Sequence, residues 1–143
     1  MTQTTIRTAA AMAALAAGAG MLAAPAATAA PGRDLYMVKN LRFNDGVYLG
    51  DFAALRKKGA KVVGAVGAFN SEFVCIRGKV RGKKLRAISY DMFNKPDSRF
   101  SVKWQGSGAK QRIKGMRSVT RKKMTGYSGT DPKPMIRYCI RNT

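Results

Sequence analysis

The 143-residue chain carries 27 lysines and arginines against 7 aspartates and glutamates, with two cysteines and no histidine. A formal charge of +20 bears on association with anionic partners and on solubility rather than on fold. Without histidine there is no Ser-His-Asp or Cys-His arrangement, and no side chain that titrates near neutral pH by default.

The chain opens with the grammar of an export signal. Arg7 and the amino terminus make a weakly positive start, residues 9–22 are apolar and alanine-rich, and Pro25 precedes the small-x-small box Ala27-Thr28-Ala29. This predicts a secretory signal peptide over residues 1–29, cleaved after Ala29. The apolar stretch is shorter than the roughly 20 strongly apolar residues of a membrane span, so no transmembrane segment is expected. No twin arginine and no cysteine stand beside the box, which points to the general export route without lipid attachment. Residues 30–143 then form a single cationic domain, secreted to the extracellular space or the cell envelope.

Along that domain, segments rich in valine, tyrosine and phenylalanine alternate with turn signals, the pattern of a β-meander. Asn44-Asp45-Gly46 turns the chain between strands at 36–43 and 47–55. Arg56-Lys57-Lys58-Gly59, Asn70-Ser71 and Arg81-Gly82-Lys83-Lys84 separate further strands at 61–69, 72–80 and 85–91. A helix over 52–58 capped by Asp51 and closed by Gly59 is the competing reading, and the hairpin rhythm favours strand. Asn94-Lys95-Pro96-Asp97 reads as a loop, and Phe100, Val102 and Trp104 alternate with Ser101 and Lys103 as a half-buried strand. After the Gly106-Ser107-Gly108 turn, residues 111–119 are expected to pair back, 126–134 to form a loop, and 135–140 to add a last strand. Glycines inside strands, at Gly50, Gly64, Gly67 and Gly78, let such a meander curl. The predicted fold is therefore all-β, a small antiparallel meander in a rolled sheet or small barrel.

Cys75 and Cys139 lie 64 residues apart, and an even cysteine count in an exported chain predicts a disulfide. In the chain-entropy model closing that loop contributes about 4 kcal/mol. A catalytic thiol pair would sit two residues apart, or beside a histidine that this chain lacks.

The segment 73–91 is the densest local constellation. If Gly82 and Lys83 form its tip, Val80 faces Leu85, Gly78 faces Ala87 and Ile76 faces Ser89 on the core side. On the other side Lys79 faces Arg86, Arg81 faces Lys84, and Arg77 comes next along the strand. Arg77, Lys79, Arg81, Lys83, Lys84 and Arg86 are thus the predicted anion-binding residues. Further basic groups are Arg56-Lys57-Lys58-x-x-Lys61, Lys110-x-Arg112-x-Lys114 and Arg121-Lys122-Lys123. Tyr36, Tyr48, Tyr90, Trp104 and Tyr127 are interleaved with them, either to stack on bases or sugars or to fill the core.

Enzyme motifs are missing or incomplete. Gly126-Tyr127-Ser128-Gly129-Thr130 lacks the last glycine of a nucleophile elbow, and Gly106-Ser107-Gly108-Ala109-Lys110 lacks phosphate-loop spacing. The carboxylates stand singly, so acid/base chemistry would need Asp51, Glu72 and Asp91 to converge. Two cysteines without histidine make no zinc site, and no acidic run resembles a calcium loop. No metal, cofactor or catalytic residue is expected. The sequence points to a secreted cationic binding protein for an anionic polymer or surface: envelope polymer, lipid headgroups, extracellular nucleic acid bound without sequence specificity, or an acidic protein. A secreted toxin or hydrolase with a histidine-free site, and a surface protein without ligand, are the alternatives. Edman sequencing of protein recovered from culture medium should begin at Ala30; a chain that retains residues 1–29 would contradict the export reading.

Overall fold

The computed structural model describes residues 31–143, and the predicted signal peptide lies outside the described residues. Strands β1 (Arg33–Asn44), β2 (Val47–Lys58), β3 (Lys61–Ala68), β4 (Phe73–Arg81), β5 (Lys84–Tyr90) and β6 (Pro96–Gln105) follow in order. Each pairs antiparallel with the next. A 3-10 turn, Gly108–Lys110, leads to two short strands, β7 (Arg112–Ile113) and β8 (Arg117–Val119). β7 pairs with β6 and β8 with β1, giving the order β7-β6-β5-β4-β3-β2-β1-β8. Only Lys114, Gly115 and Met116 separate β7 from β8, so the sheet rolls into a nearly closed barrel. This is the rolled antiparallel meander that the turn spacing predicts.

The turns explain the rhythm. Asp45 and Gly46 have φ of 49° and 83°, the left-handed pair that a tight hairpin with right-twisted strands requires. At the β5–β6 connection the Asp91 carboxylate accepts from the backbone N–H groups of Phe93 and Lys95, both at 2.9 Å, an Asx turn that fixes the loop. Position 52–58 is strand, not helix. The loop expected at 94–97 lies earlier, at 91–95, because β5 ends at Tyr90 and β6 already begins at Pro96. Of the expected 111–119 return, only Arg112–Ile113 pairs with β6; Arg117–Val119 crosses to β1 instead.

Two apolar clusters lie on opposite faces of the sheet. Inside the barrel are Leu35, Met37, Ala53, Leu55, Val62, Ile76, Leu85, Ala87 and Trp104. On the outside, Tyr36, Val38, Phe52, Ala54, Ala65, Phe69 and Cys75 form a second cluster with Met124, Ile136 and Cys139. Strands buried on both faces lose the polar alternation of a half-exposed strand, which is why 35–38 and 52–55 are apolar throughout. A Cβ on inward-facing Gly78 would stand 2.6 Å from the Cα and Cβ of Ala87. Glycine there lets β4 and β5 close on each other as the sheet bends.

The outer cluster is covered by two helices, α1 (Arg121–Ser128) and α2 (Lys133–Asn142), which correct the sequence reading of a loop at 126–134 and a strand at 135–140. The signal was present. Met135, Ile136, Cys139 and Ile140 recur at helical spacing and pack on the outer cluster, and a proline stands in the first turn of α2, where its missing N–H costs nothing. Thr120 caps α1 by accepting from the Lys123 N–H at 3.2 Å, and Gly129 closes it in the left-handed conformation. The Asp131 carboxylate accepts from the Lys133 N–H at 3.0 Å and forms an ion pair with Arg121. The Arg121 guanidinium, then the Lys133 N–H, pull its pKa down to about 2.

Cys75 on β4 and Cys139 on α2 form the predicted disulfide, with Cα atoms 5.3 Å apart. Thiol titration in denaturant without reductant should find no thiol, and replacing both cysteines by serine should remove about 4 kcal/mol of stability. An unchanged melting temperature would show that α2 docks without the bond.

Tyr36 supplies a second test. Its hydroxyl is buried and finds no hydrogen-bond partner of good geometry among the described residues. Burial, then the nearby Asp34 carboxylate, push its pKa up to about 12. The phenol therefore holds its proton more tightly in the folded state than its ordinary value of 10. Its contribution to stability is fully present below pH ~10 and is lost as pH rises toward ~12. Tyr36→Phe should be as stable as the parent at pH 7, because it removes an unmet hydroxyl, and should unfold less steeply over that alkaline window. Identical alkaline curves would place Tyr36 outside the alkaline transition.

Candidate functional site

The register builds a cationic lattice on the outer face of β3 to β6. Outward positions fall into cross-strand rows: Lys61, Lys79, Arg86 and Ser101 in one, Arg81, Lys84 and Lys103 in the next, and Val63, Arg77, Ile88 and Arg99 in a third. The hairpin pairing expected from its tip is found residue for residue. Lys79 thus faces a cation on each side, and so does Lys84. Like charges directly opposite each other destabilise a ladder by roughly 0.2–1 kcal/mol per pair.

Arg77, Lys79, Arg81 and Arg86 line one shallow groove of about 630 Å³ with Arg99, Ile88 and Ser101. No aspartate or glutamate contributes to its lining. Arg77 stands at its boundary with α2: its guanidinium donates to the Thr143 hydroxyl at 3.2 Å and the Ile140 carbonyl at 3.4 Å. Lys79, Arg81 and Arg86 are exposed, and neither ion pair found among the described residues touches them. Lys83 and Lys84, predicted as part of the same site, line a different pocket at the end of the barrel with Lys103 and Lys114. Sequence reasoning missed Arg99 and assigned Lys61 to a separate basic group. Both follow from alternation once the partner strand is known: Arg99 is opposite Ile88, and Lys61 opposite Lys79.

The other basic groups are used differently. Arg56 donates to the Asp34 carboxylate at 2.7 and 3.1 Å, which raises its own pKa. Lys57 donates to the Gly59 carbonyl at 2.7 Å, Arg112 to the Lys110 carbonyl at 2.9 Å, and Arg121 is paired with Asp131. These contacts fasten turns and helices. On the lattice of β3 to β6, Lys79, Arg81 and Arg86 have no carboxylate partner among the described residues.

The five interleaved aromatic residues are buried or half-buried, whereas Phe43 and Phe93 are exposed. Tyr36 and Trp104 are buried; Tyr48 and Tyr127 stack edge to face with ring centroids 5.0 Å apart; and Tyr90 and Tyr127 both pack on the outer cluster. None of the five lines the cationic groove. The three carboxylates do not converge either. Glu72 and Asp91 line one small hollow with Tyr138, Asp51 lines another, and Asp91 is occupied by its turn.

Relieving the repulsion from inside should stabilise the fold. Lys79→Glu turns the pairs with Lys61 and Arg86 from repulsive to attractive, and should raise stability by about 1 kcal/mol at low salt. The gain should fade near 1 M salt, where screening acts over ~3 Å; a loss of stability at low salt would mean that Lys79 is held by contacts other than those in the register. No protein-family model, curated protein or solved structure matches this chain, and a functional reading rests on the chemistry of this face.

Proposed function

We propose that this is a secreted cationic binding protein that holds an anionic polymer or surface against the outer face of β4 to β6. The observation that carries the reading is the groove of Arg77, Lys79, Arg81, Arg86 and Arg99 without a carboxylate. Exposed lysines commonly guard the open edge of a sheet. That explanation does not apply to Arg77, Lys79, Arg81 and Arg86, because β4 and β5 are interior strands; it covers only Arg99, on β6, which β7 pairs at Trp104 and Gln105 alone. Repulsive neighbours on a central face are what an anionic ligand relieves while it gains attraction of its own. Arginine predominates, with planar forks that match sulfate, phosphate and carboxylate oxygens. None of the tyrosines lines the groove, so recognition there runs through backbone charge, and a nucleic acid would be bound without regard to sequence.

Binding to a heparin-like polymer or to DNA should fall steeply between 50 and 200 mM salt, since neutralised charges release counterions. The triple variant Lys79→Gln, Arg81→Gln, Arg86→Gln should weaken it at least tenfold at low salt and flatten the salt slope by about 2–3. The equal-charge control is Lys39→Gln, Lys122→Gln, Lys123→Gln on β1 and α1; Lys61 is unsuitable as a control because it opposes Lys79. Equal losses in the two variants would reduce the reading to net charge.

A further inference from the structure

The pocket at the barrel end differs from the outer groove in make-up and in shape. Four lysines surround it: Lys83 from the β4–β5 turn, Lys84 at the start of β5, Lys103 from β6, and Lys114 from the β7–β8 turn. Backbone hydrogen bonds hold the three segments in place, from the Trp104 N–H to the Lys83 carbonyl at 2.9 Å and from the Lys114 N–H to the Lys103 carbonyl at 2.8 Å. The hollow measures about 730 Å³, and no carboxylate lines it. Trp104 forms part of its wall and is 5% exposed. The indole N–H is buried and has no hydrogen-bond partner among the described residues.

We propose that this pocket is a second, separate site, which takes a compact run of phosphate groups such as a condensed phosphate. Ammonium groups are compact charges with rotatable donors, suited to clustered phosphate oxygens approaching from several directions. Four of them exceed what one phosphate can neutralise and suit a chain of about three, at roughly 1–2 negative charges per group. Trp104 presents almost no ring surface, so the pocket cannot stack a nucleobase. Free tripolyphosphate and the triphosphate end of a nucleotide therefore present the same chemistry to it.

Calorimetric titration of the purified protein with tripolyphosphate at fixed ionic strength tests the site, with emission from Trp104, the single tryptophan, as a second reading. One tripolyphosphate should bind per chain, with the emission change saturating in step. Lys103→Gln with Lys114→Gln should weaken binding at least tenfold, and Lys83→Gln with Lys84→Gln should do the same if the first pair fails to fold. An outer-face triple that leaves out Arg81, which opposes Lys84, namely Lys79→Gln, Arg86→Gln, Arg99→Gln, should change it less than threefold. Affinity for ATP equal to that for tripolyphosphate supports recognition by phosphate alone, whereas ATP tighter by tenfold overturns it in favour of base contact. Absence of saturable binding, orthophosphate binding as tightly, or equal loss in the outer-face triple would also overturn the proposal. Heparin binding that persists in the face of those results would leave the outer-groove reading intact and remove only this site.

Discussion

The Cys75–Cys139 bond determines which part of the barrel's outer surface is covered. It ties α2 to β4, and α2 lies over β2 and β3, sealing Val38, Phe52, Ala54 and Ala65. The outward positions of β4 trace the change along a single strand. Phe73 packs against Tyr138, Cys75 is bridged, Arg77 caps the end of α2, and Lys79 and Arg81 stand open. Without α2 the apolar half of the outer face would meet water; with α2, the apolar half ends where the cationic half begins.

That division gives the charge distribution its meaning. A domain of this size is stable by about 5–15 kcal/mol, so a handful of opposed like-charge pairs at up to ~1 kcal/mol each is a sizeable fraction of the total. The disulfide contributes about 4 kcal/mol, enough to offset such repulsion without carboxylates being placed among the cations. The seven acidic residues lie elsewhere: Asp34 and Asp131 in ion pairs, Asp91 in a turn, and none in the linings of the cationic groove and pocket. The arrangement separates stability, supplied by the two cores and the bridge, from the cationic surface proposed to bind anions.

Much of this was legible in the sequence because its signals are local. Glycine- and asparagine-centred turns set the meander, and the 73–91 hairpin register followed from its tip, so the outward placement of Lys79, Arg81 and Arg86 could be read directly. Non-local facts were hidden. Nothing in the segment 135–140 alone said that its stripe faces a sheet already apolar on its outside, and a short run of alternating residues fits both periods until its partner is known. The splitting of Lys83 and Lys84 from the rest of the hairpin, and the recruitment of Arg99, Lys103 and Lys114, depend on where β6 and the β7–β8 turn arrive. Closure of the barrel decides that, and composition does not.

The central claim is that a defined face, rather than net charge, meets the anionic partner. Titration of ¹⁵N-labelled protein with a short heparin-like oligosaccharide, followed by amide and arginine side-chain chemical shifts, tests it most directly. The largest shifts should fall on β4, β5 and β6 at Lys79, Arg81, Arg86 and Arg99, with α1 and β1 nearly silent. Shifts of equal size on Lys39, Lys122 and Lys123 would contradict the account.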